Sequence, residues 1–485
     1  MLGRVFFYEN LIMETAKKNV LIYRDFYSSK LYERLGNLMI QNNQKKILTN
    51  LWGRLLTIEE VKKQLNEMNG EISMEELLEQ FERQPAIEVT HSGYCCVRCH
   101  NKNLKLFASL PIQETFKLKT ERVYCLNCIQ MGRVIQGESL YYLKDRQLYL
   151  SSPSQSKLTW EGTLSPEQSR ASIDLINSLR DSERTHMVHA VTGAGKTEMI
   201  FPVIDDVVRH KGRVCVASPR IDVCIELHPR LKQAFQSVDI SLLYGGSEDV
   251  YGYTPIVVCT THQLLRFKEA FDLLIVDEVD AFPYVNDASL HYATERAVKK
   301  PNGKLVYLTA TPDQQLTQQV DSEVMTSTIL PARYHRHPLP EPKFYWIGDW
   351  RQQIEKRRKR RLFSLLSSFL ELKGVKLVFM PNIRLAESLY DWLIKVWPTL
   401  RLAVVHSKDP QRKEKVQGLR DGVYDALIST TILERGVTFT HCHVCIVGSE
   451  SKLYSTSALV QMSGRVGRKP EYPSGELIYA HGGKV

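Results

Sequence analysis

The stretch Val188-His189-Ala190-Val191-Thr192-Gly193-Ala194-Gly195-Lys196-Thr197 decides how this chain is built. Apolar and β-prone residues lead into a glycine turn, and Lys196-Thr197 then open a helix through Met199 and Ile200. Strand, glycine turn and helix N-terminus in that order make a phosphate-binding loop. Gly193 and Gly195 let backbone N–H groups face a polyphosphate with no side chain in the way, Ala194 being the small residue between them. The helix start places partial positive charge at the same point. Lys196 offers a mobile cation for the β- and γ-phosphates, and Thr197 a hydroxyl for Mg²⁺. Ala190 stands where such loops usually carry a leading glycine.

Downstream, strands alternate with helices in the βαβ manner of a parallel sheet. Val214 to Ala217 ends in Ser218-Pro219-Arg220, and Ile256 to Cys259 ends in Thr260-Thr261-His262. Leu273 to Val276 ends in Asp277-Glu278-Val279-Asp280, and Leu305 to Leu308 in Thr309-Ala310-Thr311. In open α/β sheets the working residues sit just beyond the carboxyl ends of the strands. Asp277 can hold Mg²⁺ through water, and Glu278 can orient and deprotonate an attacking water. Upstream, Leu164-Ser165-Pro166-Glu167-Gln168 starts a helix with Ser165 as N-cap and Pro166 at its first position. Gln168 could reach an adenine edge from there, or serve the helix start alone.

Residues up to about 90 alternate charged and apolar types at helical spacing and read as a helical packing module. Two Cys-x-x-Cys knuckles follow, within Cys95-Cys96-Val97-Arg98-Cys99 and Cys125-Leu126-Asn127-Cys128. That spacing fits four-thiolate Zn²⁺ with a structural role, through Cys96, Cys99, Cys125 and Cys128. Cys95 competes for the first place. Arg98, His100, Lys102, Lys105, Lys117, Lys119, Arg122 and Arg133 surround the knuckles, interleaved with Phe107, Phe116 and Tyr124. The mixture suits nucleic acid, and suits a solvated surface equally well. Ser151 to Ser156 is a polar linker.

A proline-rich segment from Pro331 to Pro342 marks the next linker, with His335 and His337 read as surface. Then comes the basic run Lys356 to Arg361, a nucleic-acid contact or a solvated helix face. A second strand–helix series follows through Val375–Met380, Leu402–Val405, Ala426–Ser429 and Val444–Val447. The third of these runs into Thr430-Thr431. Gln461 to Arg468 places Arg465 and Arg468 three apart, on one helix face. An arginine pair delivered from a second lobe would neutralise transition-state charge at the γ-phosphate and tie hydrolysis to lobe closure. Cys442 and Cys445 fall in a strand, whose alternation points their sulfurs to opposite faces.

The chain has 485 residues, 43% of them hydrophobic and 24% charged, which is an ordinary globular balance with room for about three domains. A formal net charge of +10 favours a polyanionic partner. No apolar run is long enough to cross a bilayer and the first residues are no secretory signal, so a cytosolic protein is expected. Ten cysteines in a reducing compartment argue for metal binding or burial before disulfides.

The ordered set Ala190 to Glu198, Asp277 to Asp280, Thr309 to Thr311 and Gln461 to Arg468 resembles superfamily 2 helicases. The resemblance implies an α/β chain of two RecA-like lobes with parallel sheets, ATP between them and single-stranded nucleic acid crossing both. It makes Lys196, Thr197, Asp277, Glu278, Arg465 and Arg468 ATPase residues, with Thr309 and Thr311 coupling the lobes. Pro219, Arg220, Thr260, Thr261, Thr430 and Thr431 would lie near the strand. The phrases Ala217 to Cys224, Thr261 to Leu265 and Asp277 to Tyr284, with the four-cysteine module, look like the competence protein ComFA family. That likeness implies a single-stranded-DNA-dependent ATPase at the cytoplasmic mouth of the ComEC channel, peripheral to the membrane, working with ComFC and DprA. A primosomal replication helicase and an RNA helicase are the rival readings. The expected organisation is a helical segment over 1–90, a zinc module over 91–157, an ATP-binding lobe over 158–332 and a second lobe over 343–485. Where a closing helix would follow the strand at Leu477 to Tyr479, the chain stops, as a truncated chain would.

Overall fold

The computed structural model describes residues 46–67, 73–110, 122–147, 149, 152–181, 183, 185–247 and 251–483. The helical reading of residues 1–45, and the surface roles suggested for Phe116, Lys117 and Lys119, lie outside them.

Two parallel sheets dominate. The first lobe holds β8 (Thr185–Ala190), β9 (Val214–Ser218), β10 (Ile240–Leu243), β11 (Ile256–Thr260), β12 (Leu273–Asp277), β13 (Lys304–Thr309) and β14 (Thr326–Leu330). They stand in the order β10-β11-β9-β12-β13-β8-β14, every neighbouring pair parallel. The second lobe holds β15 (Lys343–Trp346), β16 (Val375–Phe379), β17 (Leu402–Val405), β18 (Ala426–Ser429), β19 (Cys442–Val447) and β20 (Leu477–His481). Their order is β15-β20-β19-β16-β18-β17, again wholly parallel. The two RecA-like lobes expected from the motifs are therefore present, and the strands read from aliphatic runs lie inside the sheets except β17, which forms an edge. The strands that the aliphatic runs did not mark (β10, β14 and β15) are peripheral, where a polar face needs no cover.

Alternation explains the layers. Along β9, Cys215 and Ala217 enter one core while Val214 and Val216 enter the other, and β12 divides Leu274 and Val276 from Leu273 and Ile275 in the same way. Helices Pro166–Ser178, Phe201–Arg209 and Ile221–Ala234 cover the second face. The other face packs in part against the N-terminal part of the chain. There β1 (Arg54–Thr57) and β2 (Glu82–Pro85) flank β7 (Ser139–Leu143) in an antiparallel sheet. The helices Ile58–Glu67 and Met74–Glu79 lie between those first two strands, so the segment read as helical is mixed. The hairpins β3 (Ile87–Thr90) with β4 (Gly93–Cys96) and β5 (Phe107–Ser109) with β6 (Val123–Cys125) carry the knuckles. Residues of both, with Leu55 and Tyr142, share one continuous core with Leu264, Phe267 and Phe271 of the first lobe.

Charge fixes the same interface. The Arg98 side chain, fully buried, pairs with Glu60, which Arg266 also meets at 2.6 Å. Arg296 donates to the carbonyls of Arg98 (2.5 Å) and Val97 (3.2 Å) from one nitrogen, and to Leu265 (2.8 Å) from another. His100 stacks on Tyr292 with ring centroids 4.6 Å apart. Arg122 pairs with Glu138 at 3.4 Å. Several cations read as a nucleic-acid surface around the knuckles are thus engaged in docking the module or holding it together.

In the second lobe, the sulfurs of Cys442 and Cys445 fall in separate cores on opposite faces of β19, as alternation requires. The helix carrying Gln461 ends at Ser463, with Gly464 as its C-cap. Arg465 and Arg468 therefore lie in the turn beyond it and not on one helix face.

Candidate active site between the lobes

A cleft of about 820 Å³ runs between the lobes. Gln168, the loop Gly193 to Thr197, Asp277 and Glu278 line it from the first lobe, and Thr438, Gln461 and Arg468 from the second.

The phosphate loop is held by its neighbours. Gly195 caps the helix Lys196–Met199 in the left-handed region at φ +75°, where a side chain would be strained. Gln168 completes a capping box with Ser165, accepting from its backbone N–H at 2.8 Å. The same amide donates to the carbonyls of Ala194 and Gly195, at 3.0 Å each. Both its donors and its acceptor are thus engaged within the chain.

At the carboxyl end of β12, Asp277 Oδ1 meets Lys196 Nζ at 3.0 Å. Burial works against the ammonium, but the Asp277 and Glu278 carboxylates overcome it and hold its pKa above the ordinary lysine value. Glu278 sits at φ +59°, a left-handed conformation costing about 1–3 kcal/mol in a non-glycine residue. Burial raises its pKa against the opposing pull of Arg435, whose Nη1 lies 3.7 Å from Glu278 Oε2. A strained, desolvated carboxylate with a raised pKa is a stronger base than an exposed one.

Asp280 is the hub between the lobes. Its Oδ1 accepts from Thr309 at 3.0 Å, and its Oδ2 lies 2.6 Å from the Thr311 hydroxyl and 2.7 Å from that of Ser457. From the second lobe, Arg435 closes on both oxygens at 3.2 and 2.5 Å and on Ser457 at 2.9 Å. Burial disfavours the Asp280 charge, but the Arg435 fork outweighs it and holds the carboxyl well below its usual range. Arg220 crosses the same gap to Glu434 at 2.7 Å, and Arg412 reaches Asp222 at 2.9 Å. Sequence reading missed Arg435 and Ser457.

The arginine turn approaches the loop closely. A Cβ on Gly464 would fall 2.4 Å from Thr192 Oγ1, so only glycine permits the contact. Arg465 is 1% exposed and donates through Nε to Glu434 O at 3.0 Å. Its two terminal nitrogens are buried without partners. Arg468 donates to Gly464 O at 3.0 Å and Thr438 Oγ1 at 3.3 Å while lining the cleft. The linker contributes as well. Arg333 donates to Gly467 O (2.7 Å) and Val466 O (2.9 Å), and Tyr334 N–H to Gly193 O (3.2 Å). Burial and the neighbouring Arg468 charge push Arg333 down to about 10. His335, read as linker surface, lies 3.0 Å from Gly467 O.

The six positions expected near a strand do not form one open surface. Pro219, Thr260 and Thr261 are buried, Thr430 and Thr431 half-buried, and Arg220 paired across the gap. The four knuckle sulfurs do converge, all within 4.8 Å of one another. Cys96–Cys128 and Cys99–Cys125 stand 3.8 and 3.6 Å apart, matching the ~3.8 Å that tetrahedral Zn–S bonds of about 2.3 Å require. The cluster could hold a zinc ion. Cys95 turns away, its sulfur 3.8 Å from His100 Nδ1. Among the described residues, no helix is long and apolar enough to cross a membrane.

Three family models match the chain. Residues 41–142 match the competence protein ComFA N-terminal domain, 161–314 the type III restriction enzyme res subunit and 360–470 the helicase conserved C-terminal domain. The chain is 43% identical to the competence protein ComFA of Bacillus subtilis over 401 residues, spanning 82% of this chain and 84% of that protein. It is 41% identical to that of Streptococcus pneumoniae over 423 residues, spanning 85% and 93%. Among solved structures, the DEAD-box helicase Mss116 bound to single-stranded RNA aligns with a TM-score of 0.50 at 16% identity, covering 68% of this chain and 76% of that one. The Mycobacterium smegmatis helicase Lhr bound to single-stranded DNA gives 0.50 at 19%, covering 66% and 48%. At such identities these two establish the fold alone. With both lobes, the phosphate loop and the acidic pair in place, the chain is an ATP-hydrolysing enzyme of helicase type and belongs to the competence protein ComFA family.

Proposed function

We propose that this chain is a single-stranded-DNA-dependent ATPase and translocase that drives transforming DNA through a membrane channel during natural competence. The observation that carries the reading is the Arg435–Asp280 bridge. Arg435 lies four residues beyond Thr431, at the segment expected to meet the strand, and it grips the acidic segment expected to hydrolyse ATP. A strand pressing on Thr430 and Thr431 would shift Arg435 against Glu278 and Asp280, coupling DNA contact to hydrolysis.

Within that scheme Lys196 and the loop amides bind the β- and γ-phosphates, while Glu278 orients the attacking water and takes its proton. Gln168 positions the loop. Thr197 and Asp277 offer the hard oxygen donors that suit Mg²⁺, which when bound adds charge neutralisation at the phosphates. Arg465 and Arg468 meet the charge that develops at the γ-phosphate, and Thr309 and Thr311 pass lobe movement to Asp280. Pro219, Arg220, Thr260, Thr261, Thr430 and Thr431 flank the strand, the buried ones through backbone or after the lobes move. Cys96, Cys99, Cys125 and Cys128 hold a structural Zn²⁺ that secures the docked module. Family membership supports a place at the inner face of the cell membrane through ComEC, ComFC and DprA.

Displacement of streptavidin from end-biotinylated single-stranded DNA tests the motor. ATP-dependent displacement from one end, lost in Lys196→Ala, is expected. No displacement from either end would remove translocation from the reading.

A further inference from the structure

The strand β15 is an edge of the second-lobe sheet, and it carries three consecutive exposed aromatic residues. Phe344, Tyr345 and Trp346 are 56%, 44% and 55% exposed. Such edges are usually blunted by charge or covered, because bare apolar edges invite aggregation. By alternation Phe344 and Trp346 share one face. Their partners across the ladder are Tyr479 and His481, with Phe344 and Tyr479 ring centroids 5.5 Å apart. The aromatic shelf continues into charge. The Arg361 guanidinium lies 4.0 Å from the Trp346 ring centroid. Arg361 ends the basic run Lys356 to Arg361, five of whose six side chains are exposed.

We propose that this shelf is a second contact for single-stranded DNA, separate from the positions beside Thr430 and Thr431. Charge complementarity selects the occupant, because exposed rings joined through Arg361 to a run with five exposed cations suit a polyanion whose bases need π-faces. A strand of another protein would gain from the edge hydrogen bonds but leave that charge unmatched. Topology makes one DNA strand able to reach both places. All six strands are parallel, so Trp346 at the end of β15 and Thr430 just past β18 lie on the same rim of the sheet. Four strand spacings separate them, roughly 20 Å. The inference rests on single-stranded DNA being the ligand of the chain.

The test uses the full chain with Trp346→Ala, Phe344→Ala, the pair combined, and Arg357→Glu with Arg360→Glu. All these side chains are exposed, so the fold should persist, and thermal unfolding checks that it does. Binding is read by anisotropy with short and long oligothymidylates, together with turnover at saturating long DNA. Long-oligomer affinity should fall at least about fivefold per lost stacking residue, with short-oligomer affinity and saturated turnover unchanged. Trp346→Tyr should restore most of it. Photocrosslinking of iodouracil-substituted DNA should label the peptide containing Phe344 and Trp346. Unchanged affinity in every variant overturns the shelf while leaving the ATPase reading standing. A variant that loses self-association in sedimentation but keeps its DNA affinity assigns the shelf to a second copy, and also overturns it. No DNA binding by the unaltered chain overturns both.

Discussion

Arg435→Ala removes the residue that joins the lobes at the acidic segment. Its side chain is 2% exposed, and it gives Asp280 two charge-assisted hydrogen bonds, at 3.2 and 2.5 Å. Breaking a buried ion pair by removing one partner costs about 3–5 kcal/mol. Asp280 keeps the Thr309, Thr311 and Ser457 hydroxyls, so the lower end applies, about 3 kcal/mol. If that loss falls on lobe closure, the closed population drops by roughly a hundredfold. DNA-stimulated turnover should fall by a similar factor, with nucleotide affinity changing less, because the phosphate loop keeps its Gln168 and Asp277 contacts. Arg435→Lys should be intermediate, since a point charge replaces the two-pronged fork. Steady-state hydrolysis, binding of a fluorescent ATP analogue and thermal unfolding separate the effects. Turnover within about threefold of the unaltered chain, with the fold intact, would refute the hub.

Lys196→Ala should abolish hydrolysis while zinc content stays unchanged, read by phosphate release and metal analysis. Cys99→Ala should lower bound zinc and folded yield, because the module shares a core with the first lobe; full metal retention would reject the four-thiolate site. His186 is buried between Thr326 Oγ1 at 2.7 Å and Thr328 Oγ1 at 3.1 Å, and burial depresses its pKa from 6.5 to about 4. The neutral ring is therefore favoured in the folded state, so stability is full above pH 6.5 and is lost as pH falls towards 4. By pH 4.5 the loss should be about 2.5 kcal/mol, and His186→Gln should flatten that part of the pH profile of thermal unfolding.

The two sheets were legible because their central strands are aliphatic runs ending in polar residues, a local pattern that burial on both faces demands. The same locality hid the lobe contacts. Asp280 and Ser457 are 177 positions apart, and Arg333 and Gly467 are 134 apart, so no window of sequence holds both partners. His335 therefore read as linker surface, and Arg333 drew no reading, although both grip the arginine turn. The mixed structure of residues 46–90 was hidden for another reason. The strand Glu82–Pro85 is charged and ends in proline, and pairing with β7 makes it a strand where its own propensity does not. Arg98 shows that charge alone does not report exposure: its side chain is fully buried because Glu60 and the Met131 carbonyl receive it. The helix end before Arg465 does carry a local signal, Gly464 at the C-cap, and it ends the helix before the three-residue spacing of the arginines can place them on one face. For the knuckles, spacing alone left Cys95 and Cys96 in competition. Strand β4 decides between them, because adjacent residues point to opposite faces and only Cys96 points to the cluster.

Steady-state ATP hydrolysis with no nucleic acid, single-stranded DNA, duplex DNA and RNA, at one fixed salt concentration, tests the central claim most directly. Salt must be held constant because phosphate contacts weaken steeply as it rises. Strong stimulation by single-stranded DNA, weak stimulation by duplex and little by RNA is the predicted result. Equal or greater stimulation by RNA, or none by any of the three, would contradict it.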